Sequence, residues 1–319
     1  MGAKSTNPNS IFSYVKRIEE LGFQAIFVSD HILRPLPAYN AFFTEPWTLL
    51  GAISGLTEKI ETGILVAPLG RYHPLYLSKL SSTIDYLTKG RFILGTGVGW
   101  DTTEYETLGI SPNEGGRRAK ETIEILRLLW SKTNVSYAGT FFHLKNITIY
   151  PRPVSPRGPP IWIAGGVLGR KLGERNQSSV VPSVLRRVVE QGNGWVPPAN
   201  SSSLELEEAS RWIDALCEER GRNPADITRV YQSFSYILTA ANRNERAKKL
   251  VKSFFRIPWD RAKEDYLIGT PSQVIERLAE KASAFGKVDF IILNPLSWDF
   301  EQLELIAEDI APQLHRDLD

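Results

Sequence analysis

The chain predicts an α/β fold of the (β/α)8 barrel type, and three observations carry that prediction. Residues 63–68 are a short apolar run ending in a turn, residues 74–88 place apolar side chains at helical spacing (Leu75, Leu77, Leu80, Ile84, Leu87), and residues 91–95 are apolar again before a string of glycines. Together they form one strand–helix–strand unit. Both strands are too uniformly apolar to have a wet face, as expected in a parallel sheet covered on both sides. The alternation recurs along the 319 residues, a length that suits one barrel, since such barrels commonly need roughly 250 residues. The expectation is a single domain over residues 1–319, with its chemistry in the loops that follow the strands, here 67–73 and 96–101.

Each element has its own signal. Asn7-Pro8 is a helix start, and Ile11, Tyr14, Val15, Ile18 and Leu21 keep helical spacing up to a stop at Gly22. Residues 23–29 form a strand that delivers Asp30 and His31 to its C-terminal end. The segment after it carries Pro35, Pro37, Tyr39, Phe42, Phe43 and Trp47. It is too long and too rich in prolines and aromatics for a bare connection, and reads as a loop covering a pocket. Beyond the 61–100 unit, GGRRAKETIEILRLLW is a long helix with Ile123, Leu126, Leu129 and Trp130 inward. Residues 135–150 alternate around Ala138-Gly139, a hairpin signal. A strand at 160–164 runs into Gly165-Gly166, and the stretch 167–181 is polar, basic and aperiodic. Helix 183–191 leads to GNGWVPPANSSS, a short strand with a hydroxyl-rich turn. An amphipathic helix at 205–220 and an alternating strand at 229–239 (Val230, Phe234, Tyr236, Leu238) follow. Thr270, Pro271 and Gln273 then supply an N-cap, a first-turn proline and a capping-box partner. The last strand spans 288–293, giving seven core strands.

Composition bounds the function. Apolar content of 42% and charged content of 23% are those of an ordinary globular protein. A net charge of +2 implies neither a nucleic-acid surface nor a membrane surface. The single cysteine, Cys217, cannot form an internal disulfide, which allows a reducing compartment. No apolar run approaches the roughly 18 residues of a membrane span, and no signal segment opens the chain. We expect a soluble, cytoplasmic protein with a small-molecule partner. His143 and His315 lack metal-ligand company, and no zinc or nucleophile constellation is visible, so no metal is expected.

The stretch TGILVAPLGRYHP, followed by LSSTIDYLTKGRFILGTGVGW with acidic residues just beyond, resembles the luciferase-like oxidoreductases, which are flavin- or deazaflavin-dependent (β/α)8 TIM barrels. Within that family it is most similar to the branch that uses coenzyme F420, the deazaflavin. The resemblance is strongest over residues 22–166 and weakest over 167–181 and 240–265. It implies hydride transfer between coenzyme F420 and a small organic substrate. A reduced-FMN monooxygenase is the alternative, and a degenerate, non-catalytic cofactor-binding barrel is the reading of another class. A non-proline cis peptide is implied at Leu65-Val66, forming with Ala67 a bulge behind the cofactor ring, as is a small antiparallel insertion after the fourth strand and its helix. The family begins with a strand ahead of helix one, whereas here only residues 1–6 precede it, and Gly2, Ala3 and Lys4 are poor strand formers. The expectation is a missing or truncated first strand, with either a start upstream or two unpaired edges. Family members are commonly homodimers.

Asp30 and His31, at a strand end, are the catalytic candidates. Histidine titrates near pH 6.5, so it can exchange a proton at neutral pH, and a neighbouring carboxylate can orient it. By resemblance, His31 stands beside the reactive edge of the ring; the alternative is that Asp30 caps a turn and His31 packs. Gly95, Gly97 and Gly99 allow a planar ring to approach the backbone, with Trp100 walling the pocket. Relatives that oxidise sugar phosphates carry a glutamate near the position of Trp100, and its absence counts against that substrate class. Asp101 and Glu104 read as solvated or capping carboxylates. Arg71 and His73 read as charges of an exposed loop, with binding of a carboxylate or phosphate-like group as the alternative. By resemblance, Gly165, Gly166, Trp195, Pro197 and Pro198, with the turn through Ser203, hold the cofactor phosphate through N–H groups and hydroxyls; ordinary turn chemistry is the alternative. Arg170, Lys171 and Arg175 are a basic cluster placed to meet the polyanionic tail of a deazaflavin, with a solvated loop as the alternative. Trp212, Trp259 and Trp298 read as packing residues.

Overall fold

Prolines and capping side chains fix where the helices begin. In a computed structural model of the chain, residues 8–33, 44–168, 180–239 and 243–317 are described. In chain order they form α1 (Pro8–Glu20), β1 (Ala25–Val28), α2 (Pro46–Leu56), β2 (Glu61–Pro68), α3 (Pro74–Leu87), β3 (Phe92–Gly97), α4 (Thr102–Thr107) and α5 (Gly115–Ser131). Next come β4 (Val135–Ala138), β5 (His143–Ile147), β6 (Ile161–Ala164), α6 (Pro182–Gln191), β7 (Gly194–Val196), α7 (Ser203–Glu219) and β8 (Thr228–Ile237). The chain closes with α8 (Arg243–Phe254), α9 (Trp259–Asp265), β9 (Leu267–Gly269), α10 (Pro271–Phe285), β10 (Phe290–Pro295), α11 (Phe300–Leu305) and α12 (Ala311–Asp317). Proline occupies the first turn of α2, α3, α6 and α10, where its missing N–H costs nothing. The capping box expected at Thr270 and Gln273 is formed, and Ser202 with Glu205 makes a second one at α7.

The described residues fall into two units, one built from 23–33 and 44–163, the other from 8–22 and 164–317. In the first, β1, β2, β3 and β6 lie side by side in that order, all parallel. Every residue of β3 is buried, as the uniformly apolar sequence required. Helices α3 and α5 cover the sheet through Leu77, Ile123, Ile125, Leu126 and Trp130, all buried. At about 25 cal/mol per Å² of apolar surface removed from water, each such side chain contributes roughly 1.5–3 kcal/mol. The antiparallel pair β4–β5 is the expected insertion. Its loop is tied down by Glu121 of α5, whose carboxylate accepts the N–H groups of Thr140 (2.8 Å) and Phe141 (3.0 Å).

In the second unit β8 is the longest strand and pairs in parallel with β7, β9 and β10. Helices α8 and α9 pack Ala247, Val251 and Ala262 against Tyr236 and Ile268, with Trp259 in the same cluster. Trp298 packs on Tyr14 of α1, with ring centroids 4.6 Å apart, and Trp212 is partly exposed on α7. Cys217 is buried and free. No helix among the described residues is long and apolar enough to cross a membrane.

Two sequence expectations change. Strand β9 is an additional parallel strand: its three residues are all buried, too short a run for alternation to show. Trp47 belongs not to a covering loop but to the first turn of α2, where Pro46 follows an N-cap Glu45 that accepts the N–H groups of Trp47 and Thr48. The connection is thus shorter than the aromatic-rich sequence suggested. Helix α4 forms directly after the glycine string, with Asp101 in the capping role expected of it, accepting the N–H of Thr103 at 3.0 Å. The expected first strand at residues 1–6, the loop segment 34–43 with Pro35, Pro37, Tyr39, Phe42 and Phe43, the cluster Arg170, Lys171 and Arg175, and the side chain of His315 lie outside the described residues.

Candidate active site

Parallel register aligns Val28, the last residue of β1, with Ile64 at the start of the β2 bulge, and Pro68, the last of β2, with Gly97, the last of β3. The residues just past those ends meet. Asp30 and His31 follow β1, Arg71 and Tyr72 follow β2, and Trp100 and Glu104 follow β3.

The peptide between Leu65 and Val66 is cis and not prolyl, as the resemblance implied, and the β2–β3 register shifts between Ile64 and Ala67. Leu65 and Val66 are half-exposed where their neighbours Ile64 and Ala67 are buried. The bulge turns two apolar side chains out of the core, an arrangement that fits the flat face of a ring. Gly95 lies opposite. A methyl group there would overlap the carbonyl oxygen of Ile64 and meet Leu65 Cδ1 at 2.6 Å, so glycine at this position is what admits the bulge. Gly97 is buried at the end of β3. Gly99 has φ of +80°, and its open side faces the ring of Tyr105, with Cε2 at 2.9 Å from where a Cβ would stand. Gly70 faces the same phenol, whose hydroxyl donates to the carbonyl of Val98. Gly70 and Gly99 therefore make a slot for Tyr105.

Around His31 the polar groups form one buried cluster. Arg71 forms ion pairs with both Asp30 and Glu104, and the three side chains are 1%, 1% and 3% exposed. Tyr72 donates its hydroxyl to Asp30 Oδ2 at 2.6 Å and accepts the indole N–H of Trp47 at 2.9 Å. Glu104 Oε1 accepts the N–H groups of Ile32 (2.9 Å) and Leu33 (3.1 Å) and lies 3.5 Å from His31 Nδ1. Glu104 thus holds the backbone after His31, while Arg71 holds the carbonyl of Asp30 before it, donating at 3.2 Å. His31 keeps 19% of its side chain exposed, and its ring meets that of Trp100 edge-on, with centroids 5.9 Å apart.

Burial lowers the pKa of His31, opposed by the Glu104 carboxylate. The imidazole is therefore neutral at pH 7 and able to accept a proton. Burial raises the pKa of Asp30, opposed by Arg71 and by the Tyr72 hydrogen bond. The Tyr72 phenol is pushed up by burial and by Asp30, so it remains the donor in their pair.

Two expectations are corrected here. Arg71 is not an exposed loop charge but the buried cation of the cluster, and Glu104 is neither solvated nor a cap but its second carboxylate. The usable signal was position, since both lie within a few residues of the end of a uniformly apolar strand. Charge alone could not separate them from His73, which caps α3 by accepting the N–H of Leu75 at 3.3 Å.

The second group of predicted residues belongs to the other unit. Gly165 and Gly166 both have positive φ. The N–H of Gly165 reaches Val196 O at 2.9 Å, and its carbonyl accepts the indole N–H of the fully buried Trp195 at 2.8 Å. Trp195 backs this turn. The carbonyl of Pro197 accepts Gln232 at 3.0 Å, and that of Pro198 accepts the hydroxyl of Ser201 at 2.7 Å. The hydroxyls of Ser202 and Ser203 engage Glu205 and Glu280. The hydroxyls of the turn are thus engaged by protein partners, and the N–H of Gly165 by Val196.

Comparison with known proteins bears on the family and the fold. The model of the luciferase-like monooxygenases matches residues 1–265. An F420-dependent glucose-6-phosphate dehydrogenase of Microbacterium testaceum (strain StLB037) is 28% identical over 97% of this chain and 94% of its own. Among solved structures, an F420-dependent secondary alcohol dehydrogenase in complex with an F420-acetone adduct superposes with a TM-score of 0.81 at 18% identity, covering 95% of this chain and 94% of that one. A monooxygenase from Streptomyces bottropensis superposes with a TM-score of 0.77 at 24% identity, covering 97% and 95%. These likenesses show the fold expected from the sequence, the luciferase-like α/β barrel. With a match over most of its length, the chain belongs to the luciferase-like monooxygenase family.

Proposed function

We propose that this protein is an oxidoreductase that exchanges hydride between coenzyme F420 and a small organic substrate, with His31 handling the accompanying proton. The observation that carries the reading is a neutral, half-buried His31 held between Asp30 and Glu104 at the strand end level with the half-exposed Leu65–Val66 bulge. When bound, a deazaflavin supplies two-electron hydride exchange and nothing else. Leu65, Val66 and Ala67 form the proposed backing of its ring, with Gly97, Gly99 and Trp100 along the neighbouring strand end. The Gly165–Gly166 turn, braced by Trp195 and flanked by Pro197 and Pro198, is the proposed seat of a phosphate. The F420 dependence named for the dehydrogenase relative and for the alcohol dehydrogenase structure supports the choice of cofactor.

A second reading, a monooxygenase using reduced FMN, is favoured by the family description and by the monooxygenase likeness. Fluorescence titration of the purified protein with coenzyme F420 and with FMN separates the two. Tighter binding of F420 is the expected result, and tighter binding of FMN selects the monooxygenase. Binding of neither overturns both and leaves a non-catalytic barrel.

A further inference from the structure

We infer that Tyr105 is a positioning residue of this site: its phenol fixes the loop after β2 against the loop after β3, and so sets where Trp100 stands relative to His31. The inference deepens the oxidoreductase reading above and rests on it.

Space is the first observation. Tyr105 is 4% exposed and fills a slot between Gly70 and Gly99. A Cβ on Gly70 would stand 2.5 Å from the phenolic oxygen and 2.7 Å from Cε1, and one on Gly99 would stand 2.9 Å from Cε2. Gly70 directly precedes Arg71, the cation paired with Asp30 and Glu104, and Gly99 directly precedes Trp100. One ring therefore spaces the two loops at points a single residue away from each of these side chains.

Hydrogen bonding is the second. The phenol donates to the carbonyl of Val98 and accepts from the backbone of Gly70. One oxygen thus bridges the backbones of both loops beyond the end of the sheet. The preceding residue, Glu104, accepts the N–H groups of Ile32 and Leu33 in the loop after β1. Consecutive helical residues point about 100° apart, which lets Glu104 and Tyr105 reach different loops from one turn of α4. Glu104 registers the loop of His31, and Tyr105 registers the loop of Trp100.

Exposure is the third. Trp100 is 60% exposed, so little packing holds its ring, and its place follows from the backbone behind it, where Gly99 has φ of +80°. That ring meets the imidazole of His31 edge-on, with centroids 5.9 Å apart. A side chain held in this way moves when its loop moves, and a misplacement of about 1 Å at a reacting centre costs on the order of 10²-fold in rate.

The test reads the imidazole C–H signals of the cofactor-free protein by NMR, because the indole ring of Trp100 displaces the signals of His31. His31→Ala assigns these signals among the four histidines, and Trp100→Ala gives their position without the indole. Tyr105→Phe keeps the ring in its slot and removes both hydrogen bonds. We expect it to move the His31 signals toward their position in Trp100→Ala. Tyr137→Phe is the control, since it removes a phenol bonded to Glu124 at 2.8 Å beside the β4–β5 hairpin, and it should leave the His31 signals in place. Gly70→Ala crowds the same phenol from the other loop. It is the second variant should Tyr105→Phe fail to fold, and the same displacement is expected of it. His31 signals unmoved in the variant that folds make Tyr105 a packing residue and overturn the inference, as does an equal displacement in Tyr137→Phe. Failure of the wild type to bind coenzyme F420 sinks the oxidoreductase reading instead, and the NMR on the protein alone still decides whether Tyr105 places Trp100 against His31.

Discussion

Tyr72 donates its phenolic hydrogen to Asp30 at 2.6 Å while accepting the indole N–H of Trp47 at 2.9 Å. One hydroxyl therefore ties the first turn of α2 to the strand end that carries His31. In Tyr72→Phe the aromatic packing survives, but a buried indole N–H and a buried carboxylate each lose a partner. Unmet groups of this kind cost about 1–3 kcal/mol. A lower urea midpoint with an unchanged m-value is expected, and an unaltered midpoint contradicts the network.

Among the described residues, Arg71 is the one cation paired with the two buried carboxylates Asp30 and Glu104. Breaking a buried pair by removing one partner costs about 3–5 kcal/mol, because the remaining charges lose their compensation. Arg71→Met is expected to be destabilised by that amount at pH 7. The sign of its pH dependence follows from Asp30, whose pKa burial already raises with Arg71 opposing. Without the guanidinium the folded pKa rises further, so the stability penalty grows as pH rises through it and shrinks as pH falls. Urea unfolding at pH 7 and pH 5 should show the gap between variant and wild type narrowing at the lower pH.

The elements that the sequence disclosed were those with a long periodic signal or a distinctive cap. The uniformly apolar β2 and β3, the amphipathic α5, and the Thr270–Gln273 cap of α10 were all legible. Three-residue β9 offered no period to detect, and the proline and aromatics around Trp47 imitated a loop although Glu45 and Pro46 start a helix there. At the site, the strand-end rule found Asp30 and His31 because it concerns position in the fold. It passed over Arg71 and Glu104 because burial of a charge depends on partners 33 to 41 positions away in sequence, and spacing along the chain carries no trace of that. The glycine string was visible, but Tyr105 as the occupant of the space beside Gly99 and Gly70 could be known only from three dimensions.

Gly95 offers a packing test with an internal control. A methyl group at this position overlaps the Ile64 carbonyl and approaches Leu65 Cδ1 at 2.6 Å, and backbone in the middle of a buried sheet cannot yield cheaply. Gly95→Ala should lose about 1–3 kcal/mol to overpacking. Gly51 lies within α2 with nothing within 4 Å of where a Cβ would stand, so Gly51→Ala should gain about 0.5–1 kcal/mol through reduced backbone entropy of the unfolded chain. Thermal melts of the two variants should move in opposite directions, and a shift of the same sign in both contradicts the assignment of Gly95 to the bulge.

His31 joins stability and catalysis through one pKa. Burial lowers its folded value below the ordinary 6.5, with Glu104 opposing, so between the two values the unfolded chain binds a proton that the folded one does not. Stability therefore falls as pH drops through that window and is flat above it. Catalysis marks the lower edge of that window, because only protonated His31 is unable to accept the substrate proton: kcat/KM is expected to be level from pH 7 through pH 6.5 and to decline as pH drops through the depressed folded pKa. Replacing His31 by alanine removes a positioned acid–base group, for which losses of about 10²–10⁴-fold in rate are typical. Affinity for coenzyme F420 should persist, since the Leu65–Val66 bulge and the Gly165–Gly166 turn are untouched. The same variant should flatten the stability slope on the acid side of pH 6.5. Full activity in His31→Ala, or loss of the coenzyme together with turnover, makes His31 a packing residue and removes the proton-handling role.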